Sequence, residues 1–104
     1  MSEVINNDNF DEFINSGKLV VVDFYADWCN PCKAMQPIID GLANDYTGRA
    51  IIGKLDIETE QDITSKYQVR NIPTILFFKD GEVVDKSVGQ VSRLQLEDMV
   101  NKHI

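Results

Sequence analysis

The sequence contains two cysteines, Cys29 and Cys32, with only two residues between them. Two thiols at this spacing can interconvert between a dithiol and a disulfide, because one attacks a disulfide of another molecule and its neighbour resolves the mixed disulfide. A structural zinc site would need four ligands, and the only histidine is His103, one residue from the end of the chain. A structural staple is a weak alternative, since so short a loop contributes roughly 2 kcal/mol. The spacing therefore favours thiol–disulfide exchange, and no metal site is expected.

The cysteines are predicted to lie where a buried strand passes into a helix. Leu19–Tyr25 is apolar at nearly every position, which is typical of a strand buried on both faces. After the cysteines, apolar residues recur with helical spacing and predict one long amphipathic helix that ends near Gly48. The first turn of a helix carries unpaired N–H groups and a partial positive charge, which favour a thiolate. Cys29 is therefore predicted to be the nucleophile.

The rest of the chain predicts three more strands and three more helices. Asn9 followed by Glu12 indicates the N-cap of a first helix, which Gly17 ends. Ser92 and Gln95 form a capping-box pattern before the last helix. A short helix is predicted around residues 62–67. The predicted strands are Ala50–Asp56, Thr74–Lys79 and Glu82–Val88.

The order of these elements predicts an α/β fold. Asp80-Gly81 lies between the last two strands and is a strong signal for a two-residue hairpin, so these strands should pair antiparallel. The earlier strands are linked by helices, which favours parallel pairing. Together the elements predict a single domain with a central mixed β-sheet flanked by helices on both faces.

Length and charge exclude several classes of protein. A chain of 104 residues suits one domain with one core. Ten basic against 17 acidic residues give a net charge of −7, and the basic residues do not cluster, so no nucleic-acid partner is expected. No apolar run is long enough to span a membrane. The first residues show no secretory signal, so a cytoplasmic protein is expected.

Asp23 is the most informative residue outside the cysteine motif. It stands among apolar residues six positions before Cys29, and burial raises the pKa of a carboxyl group towards neutrality. An acid of this kind can accept the proton of Cys32 during resolution, although an Asp at a strand end can also simply reach water. Lys54 is similarly enclosed, and the residues alone leave open whether it pairs with Asp23 or lies at an exposed edge.

Several motifs together closely resemble the thioredoxin family from residue 4 to residue 104. They are Trp28-Cys29-Asn30-Pro31-Cys32-Lys33 after a buried strand, Ile72-Pro73-Thr74 before the hairpin, and Gly81 and Gly89 at the turns. The resemblance implies one thioredoxin domain, residues 1–104, with the thioredoxin fold. It also implies a protein-disulfide reductase whose redox-active disulfide joins Cys29, exposed and attacking, to Cys32, buried and resolving.

The resemblance further implies a substrate groove and the residues that act beside the thiols. Asp23 would be the family's buried acid, with Lys54 as its partner. Asn30 and Pro31, inside the motif, would tune the stability of the thiolate. The Ile72-Pro73 bond would be cis and face the cysteines. The implied substrate-binding residues are Trp28, Ile72, Pro73, Val88 and Gly89.

The resemblance also implies the partners. The substrates would be disulfide-containing proteins, and a flavoprotein thioredoxin reductase would restore the dithiol. NADPH and flavin would belong to that reductase, and no cofactor would be bound here, in agreement with the absence of a Gly-rich dinucleotide motif. The chain is expected to be a monomer.

Three alternatives use the same residues differently. A thiol oxidase or isomerase would run the exchange in the opposite direction, but Pro31 stands where such proteins have His. A glutathione-dependent reductase usually has Pro directly after the first Cys, where this chain has Asn30. A non-enzymatic partner-binding subunit would need the groove without needing both thiols.

Overall fold

The computed structural model describes residues 2–104, which form five strands and four helices. The strands are β1 (Glu3–Val4), β2 (Leu19–Tyr25), β3 (Ala50–Asp56), β4 (Thr74–Lys79) and β5 (Glu82–Val88). The helices are α1 (Phe10–Ile14), α2 (Asn30–Asp45), α3 (Gln61–Lys66) and α4 (Arg93–His103). None of the helices in this part of the chain is both long and apolar enough to cross a membrane.

The five strands form one mixed sheet in the order β1-β3-β2-β4-β5. β3 pairs parallel with both β1 and β2, whereas β4 pairs antiparallel with β2 and β5. The predicted mixed sheet is thus confirmed. β2 lies at its centre, and its Asp23 faces Lys54 on one neighbouring strand and Ile75 on the other.

Alternate residues of β2 point to two separate apolar cores, one on each face of the sheet. Leu19 and Val21 pack with residues of α2 and α4. Val20, Val22 and Phe24 pack with residues of α1 and α3. Because both faces are covered, β2 has no solvent-facing side, and its sequence, apolar at every position except Asp23, follows from that position. The prediction of helices on both faces is confirmed.

The start of the fold differs from the sequence-based prediction. β1 was not predicted, because two residues are too few to show an apolar period. Asn9 is the N-cap residue of α1, as predicted, but its side chain makes no capping hydrogen bond. Instead, Asn9 Oδ1 accepts from the backbone N–H of Asn6 at 2.9 Å, and its Nδ2 donates to the carbonyl of Val4 at 2.9 Å. These bonds tie the end of β1 to the start of α1.

The hairpin and the last helix agree with the predictions. Asp80 (φ 52°) and Gly81 (φ 83°) both have positive φ, which is the geometry of a type I′ turn, and Lys79 pairs with Glu82 across it. The Ser92 Oγ accepts from the backbone N–H of Gln95, and the Gln95 side chain accepts from the backbone N–H of Ser92. This complete capping box begins α4 at the predicted place.

Candidate active site

The two cysteines form a disulfide at the N-terminus of α2. Their Cα atoms are 5.2 Å apart. Cys29 is the N-cap residue, with extended backbone (φ −91°, ψ 109°), and its Sγ accepts a hydrogen bond of 3.2 Å from the backbone N–H of Cys32. Asn30 and Pro31 are exposed and fill the first two helical positions, where Pro31 needs no N–H. The N–H of the first turn therefore points at the sulfur of Cys29.

Both cysteines are largely covered in this disulfide state. The exposed fraction is 5% for Cys29 and 2% for Cys32. Tyr25, Ile57 and Ile72 pack against the pair. The expected exposure of Cys29 is thus wrong for the disulfide form, since apolar side chains from three different segments surround it. An incoming thiol must approach between these side chains.

Trp28 forms one wall beside the disulfide. Its side chain is 65% exposed, and the indole Nε1–H donates a hydrogen bond of 2.6 Å to Oε1 of Glu58. Glu58 lies in the connection between β3 and α3, where its backbone N–H donates to Asp56 Oδ1 at 2.8 Å. Glu58 was not predicted, because nothing in a run of acidic residues shows which carboxylate meets an indole 30 residues away.

A second wall beside the disulfide comes from the segments around β4 and β5. The Ile72-Pro73 peptide bond is cis, and the carbonyl oxygen of Ile72 lies 3.9 Å from Cys29 Sγ. The carbonyl of Pro73 accepts from the backbone N–H of Gly89 at 2.8 Å. Val88, which is 49% exposed, precedes Gly89 at the end of β5. This backbone bond brings the two segments together beside the disulfide.

Asp23 is completely buried on the α2 side of the sheet, and neither carboxylate oxygen has a hydrogen-bond partner. Burial is the main cause that raises its pKa from 3.8 to about 7; Lys54 lowers the pKa and Asp40 raises it. Asp23 and Lys54 are register partners on neighbouring strands, but the expected direct ion pair is absent. Lys54 thus acts on Asp23 only through its charge.

A cavity of about 160 Å³ lies beside the resolving cysteine. Cys32, Gln36 and Lys54 contribute to its lining, together with Tyr25. The Lys54 Nζ lies 5.7 Å from the centre of the Tyr25 ring. Nearby carboxylates and burial raise the pKa of Tyr25, with burial the larger cause. Across residues 2–104, no group of three or more His, Cys, Asp or Glu side chains is arranged to hold a metal ion.

The comparisons with known proteins point to one family. The family model described as Thioredoxin matches residues 1–102. A thioredoxin of Staphylococcus haemolyticus is 45% identical over 100 residues, covering 96% of this chain and 95% of that protein. A thioredoxin of Buchnera aphidicola is 40% identical over 101 residues. A solved mutant thioredoxin from Halobacterium salinarum superposes with a TM-score of 0.88 at 33% identity, covering 96% of this chain and 88% of that one.

Proposed function

The chain belongs to the thioredoxin family, and on that premise we propose that Cys29 is its attacking thiol and Cys32 its resolving thiol. The protein is a thiol–disulfide oxidoreductase that reduces protein disulfides. One observation carries the assignment of roles: the first-turn N–H of Cys32 points at Cys29 Sγ. A donor there stabilises negative charge on that sulfur, so Cys29 is the better thiolate.

The reaction transfers two electrons and two protons to the substrate. The Cys29 thiolate attacks one substrate sulfur, forms a mixed disulfide and releases the other substrate sulfur as a thiolate, which takes up a proton. Cys32 then loses its proton and attacks Cys29 Sγ, which breaks the mixed disulfide and releases the second substrate sulfur. The products are a substrate dithiol and the Cys29–Cys32 disulfide.

Asp23 is the proposed base for the second step. Cys32 is 2% exposed and has little access to bulk water, so an internal proton acceptor is needed. Asp23 lies on the same side of the sheet as α2, and its pKa of about 7 suits proton exchange near neutral pH. Lys54 is assigned a supporting role, because its positive charge stabilises the ionised form of Asp23.

The walls beside the disulfide are the proposed substrate-binding site. A disulfide in a protein arrives on a peptide segment, which must be held against Cys29 while the sulfurs exchange. The exposed Trp28 ring and the exposed Val88 side chain offer apolar contact on two sides. The Ile72 carbonyl oxygen lies 3.9 Å from Cys29 Sγ, and the bond from the Gly89 N–H to the Pro73 carbonyl holds the end of β5 to this segment, so Ile72, Pro73 and Gly89 are assigned to the same site. Asn30 and Pro31, exposed in the first turn, are assigned to tuning the thiolate.

The family implies disulfide-containing proteins as substrates and a thioredoxin reductase as electron donor. We propose more specifically that this donor is a flavoprotein using NADPH. Thioredoxins carry no bound cofactor, so we assign the redox chemistry of this chain to the thiols of Cys29 and Cys32. We also propose a monomer acting in the cytoplasm, a compartment that keeps thiols reduced. Coupled oxidation of NADPH in the presence of a flavoprotein reductase tests this partner.

The roles of the two cysteines are tested by reduction of a protein disulfide with a small dithiol as electron source. The unchanged protein should turn over many times, and Cys29→Ser should abolish turnover. Asp23→Asn should slow turnover near neutral pH. Full turnover by Cys29→Ser would contradict the proposed roles, whereas retained biological activity of a variant lacking both thiols would favour a non-enzymatic subunit.

A further inference from the structure

Three donors converge on one carboxylate oxygen at the side of α2. Asp40 Oδ1 accepts from the backbone N–H of Ser2 at 3.1 Å, from Ser2 Oγ at 2.7 Å and from Gln36 Nε2 at 3.1 Å. Gln36 Nε2 also lies 3.4 Å from Ser2 Oγ. These three residues, called the Ser2–Asp40–Gln36 cluster, join the segment before β1 to the helix that carries the cysteines. The hydrogen bonds from Ser2, the largest effect, hold the pKa of Asp40 below its usual value.

The cluster is aligned with the resolving cysteine along α2. Gln36 follows Cys32 by four residues and Asp40 follows it by eight, so the three lie along one side of the helix. Gln36 lines the cavity that Cys32 and Lys54 also line. The cluster therefore joins one lining residue of that cavity, Gln36, to the carboxylate of Asp40 one helical turn further along α2.

The charges that face Asp23 come from few elements. On β3 the register partner is Lys54, and on β4 it is Ile75, which is apolar. From α2, Asp40 acts on Asp23 with a sign opposite to that of Lys54. On its own strand, Tyr25 interacts electrostatically with Asp23. Asp23 has no hydrogen bonds, so these charges and its burial decide when it holds a proton.

We propose that the Ser2–Asp40–Gln36 cluster is a positioning device that makes Asp23 a stronger base for the proton of Cys32. The negative charge of Asp40 opposes that of ionised Asp23, and it offsets part of the effect of Lys54. Hydrogen bonds from Ser2 and Gln36 hold the Asp40 carboxylate in its ionised form. This inference rests on the proposed role of Asp23 and adds a group that does not touch the reacting atoms.

The test compares Asp40→Asn with the unchanged protein in the rate of mixed-disulfide resolution as a function of pH. The rate should rise with pH as Asp23 loses its proton, and this rise is called the rising limb. Removal of the negative charge of Asp40 should lower the pH at the midpoint of the rising limb by roughly half a pH unit, the size expected of one partly screened charge. The carbon-13 resonance of the Asp23 carboxyl should titrate with the same displacement. Asp40→Glu keeps the charge and should keep the midpoint closer to that of the unchanged protein.

Two controls separate the possible explanations. Asp62→Asn removes the same charge from an exposed position in the first turn of α3 and should leave the midpoint unchanged. Asp23→Asn should remove the limb altogether, and if it does not, the proposed role of Asp23 fails. If the rising limb depends on Asp23 but Asp40→Asn leaves the midpoint of that limb unchanged, the positioning role of the cluster is overturned. A change in the free energy of unfolding of Asp40→Asn does not alter that conclusion.

Discussion

The indole Nε1 of Trp28 donates a hydrogen bond of 2.6 Å to the carboxylate of Glu58, and this bond links two segments on the active-site surface. The backbone of Glu58 is held by two further bonds: its N–H donates to Asp56 Oδ1, and its carbonyl accepts from Gln61 Nε2. Trp28 is largely exposed and has less to hold it. The bond to Glu58 thus favours one position of the indole ring on the active-site surface.

Glu58→Ala is expected to raise KM for a protein disulfide roughly three- to tenfold, because the ring loses its acceptor and no longer forms a fixed wall. Reaction with a small aromatic disulfide, which needs no groove, should keep its rate. Glu58→Gln retains an acceptor oxygen and should restore most of the affinity. Steady-state kinetics on both substrates provide the measurement, and equal KM values for all three proteins would contradict this role.

The free energy of unfolding should depend on pH through Asp23. Its pKa is about 7 in the folded protein against 3.8 for an ordinary Asp, so the folded state holds a proton that the unfolded state has lost. Stability should therefore fall as pH rises from about 4 to 7. At about 1.4 kcal/mol for each unit of pKa, the full loss is about 4 kcal/mol.

Asp23→Asn removes the titrating group and should be the more stable protein above pH 7, by up to about 4 kcal/mol. Urea unfolding of the disulfide form at several pH values measures the difference. The exposed Asp62→Asn provides a control that should follow the unchanged protein. Parallel stability curves for the unchanged protein and Asp23→Asn would show that burial does not hold the proton on this carboxyl group.

Gln68 follows α3 with a positive φ of 54°, a conformation that suits glycine better than a residue with a Cβ. Gln68→Gly should raise the free energy of unfolding by about 0.5 to 1 kcal/mol, since the relief of strain exceeds the greater freedom of glycine in the unfolded chain. Ser65→Gly, inside α3, should lower it instead. Thermal unfolding distinguishes the two, and a loss of stability in both would refute the assignment of strain.

Gly53 leaves room for the segment that contains β1. A Cβ on Gly53 would lie 2.6 Å from Ile5 Cδ1 and 2.8 Å from the backbone oxygen of Glu3. Gly53→Ala should therefore destabilise the protein by about 1 to 3 kcal/mol. At Gly41 the Cβ would meet only the end of the Arg93 side chain, so Gly41→Ala should be tolerated. Equal losses in the two variants would contradict the close approach of β1.

Local patterns in the sequence predicted the centre of the fold well. The largely apolar run of β2, the Asp80-Gly81 turn and the Ser92 capping box each act within a few residues, and each was found where predicted. Asn9 also stands at the predicted N-cap position, but local bonds to Asn6 and Val4 occupy its side chain in place of a capping bond.

The site was predictable in its cysteines and much less so in its surroundings. The cysteines are close in sequence, so their spacing alone brings them together. The acceptor of the Trp28 indole and the cluster around Asp40 join residues 30 and 38 positions apart. Such contacts depend on the order of the strands and the placement of the helices. A pattern within one segment of the sequence predicts neither. The absence of an ion pair between Asp23 and Lys54 was also not predictable. Strand register places the two residues side by side but does not determine where the charged end of a long side chain lies.

The order of attack by the two cysteines is tested most directly with Cys32→Ser. This variant can form the mixed disulfide but has no thiol to resolve it, so a substrate protein should stay attached. Intact mass and peptide mapping then identify the sulfur that carries the substrate. We expect one covalent adduct, on Cys29, which a reducing agent releases. Repeated turnover by Cys32→Ser would contradict the proposed order of attack. So would the reverse pattern, in which Cys29→Ser forms a stable adduct on Cys32 and Cys32→Ser forms none on Cys29.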